Sequence, residues 1–572
     1  MSKTNADSTN RIITFRDLLR KYKLSLFFLV LLVTIVSSIT YFRILAQIEI
    51  GPISDSFDFL SNALVYAGHG MGYADLLRPP FFGFLISLVF RMGYISTNVV
   101  FYMDGLLFIL GVIGLFLLLK IRLNDLESFL GSLLYATFPI VITILGVGFS
   151  DLASVSITIW AIYFTVLAIK KDSKYFYISF PLLMLAFLTR YNNALLIFPI
   201  FLYLLINKDK INFKQFFMGI GASILIIVPV LTFFYQKYGS IIYPFINFSS
   251  SSAAVTGSAE TFAYNPNIFF FVQNFPSSVG LQGIFIILII LFAGAALCLY
   301  KFTKKDLKVH KNVKLGLKNR LTQIKMIILL FLVILFMGTF GKIFYMINEV
   351  LFFIIAYLSF DITRNLNIKH FNISLMFLAW FMAFFIFNSI FVMKDLRYFV
   401  MMAPPVAYFM ILGLSEVSQR IPINFKDKNI VFPTLAVFLT IIMLFSVVSQ
   451  IPEIVNSNHD KKIINHELKE SSQWFISYDP GYKDQNIYSD LGPNYSWYLK
   501  TNVKTVPVFK DNQTFANGVK NETFNQADSN QYNNFLITNN ADYYLCLREG
   551  LNLTSYTAVK QMGDVTIYKR ND

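Results

Sequence analysis

Two carboxylates one helical turn apart, Asp55 and Asp58, follow the first long apolar run of this 572-residue chain, and Arg78 stands in front of Pro79-Pro80. Asp151 opens a later apolar run, Arg190 opens a turn, and Lys342, Lys394, Asp395 and Arg397 border further runs. A carboxylate can take a proton from an attacking hydroxyl. Guanidinium groups match phosphate oxygens in bidentate fashion and stay charged. Such a set suits a lipid phosphate presented at a membrane surface, with the phosphate leaving from an oxocarbenium-like sugar carbon as the hydroxyl arrives. Each group also has a plainer reading: Asp55 as an N-cap, Asp58 as a first-turn acid favoured by the helix dipole, each Lys or Arg as an interfacial anchor. Carboxylates snorkel poorly, so acids and bases gathered at one membrane face favour a site over separate anchors.

The elements that position these residues are membrane helices. Only 14% of the chain is charged and 56% is hydrophobic, against roughly 25% charged in an ordinary soluble domain. Apolar runs of about 20 residues recur from Leu24 to Ser449, each long enough to cross a bilayer. This excludes a single water-soluble globule and a disordered chain. Expected spans are 24–46, 97–119, 128–148, 152–170, 177–189, 194–206, 215–235, 280–300, 326–342, 344–360, 372–392, 398–415 and 430–450. The stretch Phe176–Ile206 is too long for one straight span and is expected to turn at Arg190-Tyr191-Asn192-Asn193; Met326–Phe360 is expected to break at Gly341-Lys342.

The net charge of +15 gathers in the N-terminal arm, in short loops and in the run Lys301 to Lys325. Placing these in the cytoplasm satisfies the positive-inside rule and removes the reason to propose nucleic acid as a partner. An odd count of about thirteen spans then puts the tail outside. Sequons such as Asn494, Asn512 and Asn552 fit that side weakly. The expected fold is therefore a polytopic α-helical membrane protein with a C-terminal extracytoplasmic α/β domain: a cytoplasmic arm 1–23, a transmembrane domain 24–455 with a first outer loop 47–96, and the tail 456–572. In the loop, apolar residues from Ser56 to Ala67 fall at helical spacing, as in a helix lying in the interface. In the tail, Asn486–Asp490, Lys504–Phe509, Ala541–Cys546 and Asp564–Lys569 read as strands.

At these residues the chain resembles the GT-C superfamily of polyprenyl-phosphate-sugar-dependent glycosyltransferases, especially the protein O-mannosyltransferase and lipid A aminoarabinose transferase branch. The likeness is carried by Ser54-Asp55, Gly68-His-Gly70 with Gly72-Tyr73, Arg78-Pro-Pro-Phe81, Ser150-Asp151, Leu188-Thr-Arg-Tyr191, and Asp395-Leu-Arg-Tyr398 followed by Pro404-Pro405. No single motif is specific; their order along the spans is more so. The resemblance implies inverting transfer of one sugar from a polyprenyl-phosphate donor to an acceptor outside the cytoplasmic membrane. It implies Asp55 as the catalytic acid position, Asp151 as the second acid, and Arg78, with Arg190 and Arg397, as donor-phosphate residues. Much of that branch has two adjacent acids in the first loop, whereas Ser56 follows Asp55 here, so Asp58 stays an alternative base.

Lys342 joins the expected phosphate set by its place at a span end. Asp55, Asp58 and Asp151 could offer oxygen ligands to Mg²⁺ or Mn²⁺, but the related single-sugar transferases imply no need for a metal, and none is expected. His69, between two glycines, reads as a turn residue, and Trp474, Tyr495, Trp497 and Tyr498 as core aromatics before sugar platforms. Two other classes compete. A transporter or flippase of lipid-linked glycans would show pseudo-symmetric halves and broken helices near the midplane; a sugar-binding scaffold would tolerate loss of Asp55.

Overall fold

The computed structural model describes residues 15–69, 76–247, 260–261, 264–303, 320–366, 368–425, 428–515, 518–520 and 522–571. The expected Gly70-to-Tyr73 part of the first-loop motif, the basic arm before Phe15 and most of the Lys301–Lys325 run lie outside these residues. Helix α1 (Phe15–Ile50) enters the first loop, which carries α2 (Asp55–Tyr66) and α3 (Pro80–Arg91). Then follow α4 (Asn98–Leu119), α5 (Asp125–Ala136), α6 (Pro139–Ile144), α7 (Ser150–Lys170), α8 (Phe176–Thr189), α9 (Ile197–Ile206) and α10 (Phe213–Tyr238). The bundle ends with α11 (Phe270–Gln273), α12 (Phe275–Thr303), α13 (Arg320–Thr339), α14 (Tyr345–Thr363), α15 (Phe371–Ile390), α16 (Ala403–Ser418) and α17 (Val431–Ser457).

Among the described residues, nine helices are long and apolar enough to cross a membrane. The expected count of about thirteen is therefore not established, because four of the expected spans are shorter or broken. The run 128–148 stops at Thr137-Phe138 and restarts at Pro139, which cannot donate a helical hydrogen bond. The run 398–415 opens as a 3-10 turn over Leu396–Met401 before α16. The two expected breaks do occur. Arg190 is extended (φ −155°, ψ 117°) between α8 and a 3-10 turn over Tyr191–Leu196, and Gly341 takes φ 77° between α13 and α14.

A two-stranded hairpin, β1 (Asn424–Phe425) and β2 (Lys428–Asn429), precedes α17. Beyond it the tail forms α18 (His459–Tyr478), β3 (Ile487–Ser489), α19 (Gly492–Leu499), β4 (Lys504–Thr505), β5 (Val508–Lys510), β6 (Gln513–Phe515), α20 (Gln526–Thr538), β7 (Tyr543–Cys546), β8 (Tyr556–Met562) and β9 (Val565–Arg570). The main sheet has order β4-β3-β7-β9-β8, with β3 parallel to β4 and β7, and β9 antiparallel to β7 and β8. Strand alternation sends Ile487, Tyr543 and Leu545 to a core with Leu468 and Phe475 of α18, and Tyr488, Tyr544 and Cys546 to a core with Tyr532 and Leu536 of α20. The four expected strand regions are present; β8, exposed along most of its length, carries no such alternation and was not expected.

The tail also closes over the first loop. The Ser61 hydroxyl donates to the Pro493 carbonyl (2.9 Å), and Asn465 Nδ2 donates to the Ile50 and Pro52 carbonyls (3.0 and 2.9 Å). Trp497 packs 5.8 Å from Phe90 in one core with Phe57, Leu60 and Phe82. Helix α2 thus does not lie freely in an interface as expected: Ser56 through Leu64 are all buried, because α3 and α19 cover it.

Candidate functional site

Helix α2 starts at Asp55, so the residue before its first turn is Ser54, which makes no capping hydrogen bond and sits at φ 45°. A non-glycine residue there is strained, a feature that gathers at functional sites. The plainer reading of Asp55 as a cap therefore fails. Its carboxylate instead bridges two arginines: Oδ1 accepts from Arg78 Nη2 at 2.8 Å and Oδ2 from Arg397 Nη1 at 2.8 Å. Arg78 also grips Asp58, with Nε and Nη2 at 2.8 and 2.5 Å from Oδ2. The proline after Arg78 leads into α3 with Pro80 at its first position, which fixes where the arginine leaves the loop.

Asp151, in the first turn of α7 and 1% exposed, pairs with Arg190 at 2.5 Å. Arg190 lies over the Tyr398 ring at 5.2 Å, and Arg397 over the Phe149 ring at 5.1 Å. Asp395 caps the 3-10 turn of Arg397, accepting from its backbone N–H at 2.9 Å, and its other oxygen lies 3.0 Å from Arg397 Nε. Four acids and three arginines from five stretches of chain thus form one network. Burial alone would raise the Asp55 carboxyl, but Arg78 and Arg397 outweigh it and hold it well below the usual carboxylate range.

The network lines a cavity of about 2280 Å³, walled by α1, α6, α12 and α17 on one side and by Phe187, Tyr191, Phe344, Tyr345, Phe387 and Phe391 on another. Asp55, Asp58, Arg78, Arg190 and Arg397 all line it. Lys342 does not: it is exposed after the end of α13 and is not part of the cavity wall. Its expected place in the phosphate set is corrected accordingly. Lys394 does line the cavity, but its ammonium folds back on the carbonyls of Asn388 and Ser389 (2.7 Å each) and Phe391, capping α15. Burial pushes that amine down to about 8.

The acids face guanidiniums rather than one another, and among the described residues no three His, Cys, Asp or Glu side chains converge as a metal site. Asp55, Asp58 and Asp151 are each paired with an arginine, and no step is derived through Mg²⁺ or Mn²⁺. His69 is exposed, its N–H donating to the Leu64 carbonyl at 3.0 Å where α2 ends.

Two residues the site depends on were not anticipated. Asp104, fully buried in α4, accepts from the Gly148 N–H at 3.4 Å. Gly148 (φ 86°) and Gly146 (φ 69°) shape the loop that presents Asp151, and a Cβ on Gly148 would meet Val100 at 2.7 Å. Arg43, 1% exposed in α1, donates to the Ile142 carbonyl at 3.0 Å and lies within electrostatic reach of Asp104. The available signal was a charge inside an apolar span, which is costly enough to mark function by itself.

With that geometry in view, residues 77–233 match the family model described as dolichyl-phosphate-mannose-protein mannosyltransferase. The chain has the fold of the GT-C membrane glycosyltransferases. It is similar in structure to ArnT from Cupriavidus metallidurans, at TM-score 0.56 and 11% identity in the apo state, covering 94% of this chain and 97% of that one. The same protein bound to undecaprenyl phosphate matches at TM-score 0.53 and 11% identity, with the same coverage. The apo oligosaccharyltransferase of Archaeoglobus fulgidus matches at TM-score 0.52 and 12% identity, over 92% of this chain and 70% of that one. A sequence search of curated proteins finds no match.

Proposed function

We propose that this protein is a membrane glycosyltransferase that moves a single sugar from a polyprenyl-phosphate donor to an acceptor hydroxyl outside the cytoplasmic membrane, with inversion. The observation that carries the reading is Asp55 clasped between Arg78 and Arg397 at the wall of a large cavity. The family match and the undecaprenyl phosphate bound by the similar ArnT support a lipid-phosphate donor. The N-terminal arm lies inside and the tail outside, as the basic loops favour.

The chemistry follows from the charges. A donor phosphate entering among Arg78, Arg190 and Arg397 competes with the acids for guanidinium N–H groups. As the arginines turn toward phosphate, Asp55 loses the charges that suppress its basicity. It then takes the proton of the acceptor hydroxyl while that oxygen bonds to the anomeric carbon. The carbon–oxygen bond to phosphate breaks, and the polyprenyl phosphate leaves with the electron pair, stabilised by the arginines. Asp58 and Asp151 keep Arg78 and Arg190 oriented.

The test works whichever sugar is transferred. In a deletion strain, mass spectrometry of surface glycans should show one missing sugar that wild-type protein restores. Asp55→Asn keeps the side-chain shape and removes the base, so its transfer rate should fall roughly 10²-fold or more. Full restoration by a folded Asp55→Asn protein would remove Asp55 as the base. Loss of every surface glycan, with lipid-linked precursor trapped inside, would instead favour a flippase.

A further inference from the structure

The stretch of cavity wall along α1, α6 and α17 is built for a different ligand. Ser446, Ser449, Gln450, Glu453 and Ser457 recur at helical spacing on one face of α17, and all five line the cavity. Such a stripe on a membrane helix has no lipid-facing use. Gln450 Nε2 donates to the Pro139 carbonyl (2.8 Å) and to Thr143 Oγ1 (3.1 Å), while its Oε1 is buried with no partner among the described residues. Facing the same residue from α1, Arg43 donates from Nη2 to the Thr143 carbonyl and to Gln47 Oε1 (3.0 Å each), and its Nη1 is likewise buried without a partner among them. An orphaned acceptor and an orphaned donor therefore flank Thr143, each costly unless a ligand completes it.

The hydroxyls of a sugar, each able to donate and to accept, supply both kinds of partner. On this wall Lys461 is matched by Glu453, and Arg43 spends its Nε and Nη2 on the Ile142 and Thr143 carbonyls and on Gln47, in contrast to the arginines gathered around Asp55. The wall also leads to the reacting centre: Gln47 Nε2 donates to the Gly51 carbonyl at 2.7 Å, and Gly51 precedes Asp55 by one short turn. We infer that this wall is the acceptor subsite and that it takes an uncharged, hydroxyl-rich sugar. The acceptor role rests on the transferase reading; the sugar-binding role does not.

The test uses full-length protein in phosphatidylcholine nanodiscs and an octyl glucoside carrying a diazirine on the sugar. Photolysis should label peptides of α1, α6 or α17. Excess octyl glucoside should compete, and octyl phosphate and undecaprenyl phosphate should not. Gln450→Leu should cut the labelling at least tenfold, and so should Ser449→Phe, which fills the groove without touching a buried hydrogen bond. Each variant is compared at equal amounts of monodisperse protein. Competition by free glucose as well as by octyl glucoside would point to a soluble glycan; competition by the alkyl glucoside alone would point to a glycolipid. Equal competition by octyl phosphate, or undiminished labelling in Ser449→Phe, would overturn the subsite. Undecaprenyl phosphate binding is read by native mass spectrometry in the same samples. Its absence from wild type, beside glucoside labelling confined to the groove, would count against the donor reading alone.

Discussion

Asp55, the proposed base, is held under restraint. Two guanidiniums stabilise its ionised form, so its folded value lies below its unfolded one. Its ion pairs therefore contribute stability at all pH above the ordinary aspartate value of about 4, and that contribution is lost only as pH falls through the lower, folded value. The melting temperature should show no dip from Asp55 between pH 7 and about 4. Removing one cation, as in Arg397→Gln, lets the carboxyl rise toward its ordinary value, so the acidic limb of the kcat/KM profile for transfer should move to higher pH. An unmoved limb would mean that Asp55 is not the titrating base. For Arg78, which reaches both first-loop acids, undecaprenyl phosphate binding should rank wild type above Arg78→Lys above Arg78→Ala, because lysine keeps the charge and loses the planar fork. Equal affinity in all three would reduce Arg78 to an anchor. Charge at the ends of apolar runs marked Arg78, Arg190, Arg397 and the three aspartates in the sequence. Lys342 misled because a span end says nothing of the direction in which a side chain leaves it. Arg43 was overlooked because apolar neighbours on both sides hide one charge in a run.

At the scale of elements, the loop between α6 and α7 shows what hydropathy cannot resolve. Residues 128–148 form one apolar run, yet the backbone stops at Thr137, restarts at Pro139 and then bends through Gly146 and Gly148 to deliver Asp151. The apolar character was legible; the break was not, because proline and glycine set backbone direction without changing mean hydropathy. Asp104 fastens this loop through the Gly148 N–H. Asp104→Leu removes that acceptor and strands the Gly148 donor, at a cost of about 1–3 kcal/mol. Asp104→Asn keeps an acceptor oxygen and should lose less. Thermal unfolding of the purified protein should rank wild type, Asp104→Asn and Asp104→Leu in that order. A Leu variant as stable as wild type would show that the loop holds itself.

Over the whole molecule, the C-terminal domain is a structural partner of the first loop. Trp497, 5% exposed, belongs to the same core as Phe57 and Phe82, and Tyr498 packs 5.8 Å from Phe57. The sequence marked these aromatics as core residues and marked the strands around them, but the core they join belongs to a loop more than four hundred residues away, a pairing that no local pattern records. Trp497→Ala should cost about 3 kcal/mol or more by leaving a cavity, and should lower transfer because α2 carries Asp55. Measured together, unfolding temperature and transfer should fall in parallel; a destabilised variant with full transfer would uncouple the domain from the site.

The tether from Asn465 to the carbonyls on either side of Gly51 also bears on how this architecture can diversify. Gly51 sits at φ 88° with the Asn465 amide 2.9 Å from where a Cβ would stand, so a side chain there would both strain the turn and push away the tether. A C-terminal domain cannot be exchanged between such proteins at the α17–α18 junction as a free module. A graft that brings its own tail must also bring a first loop fitted to it, and recombination should succeed only where both segments travel as a pair.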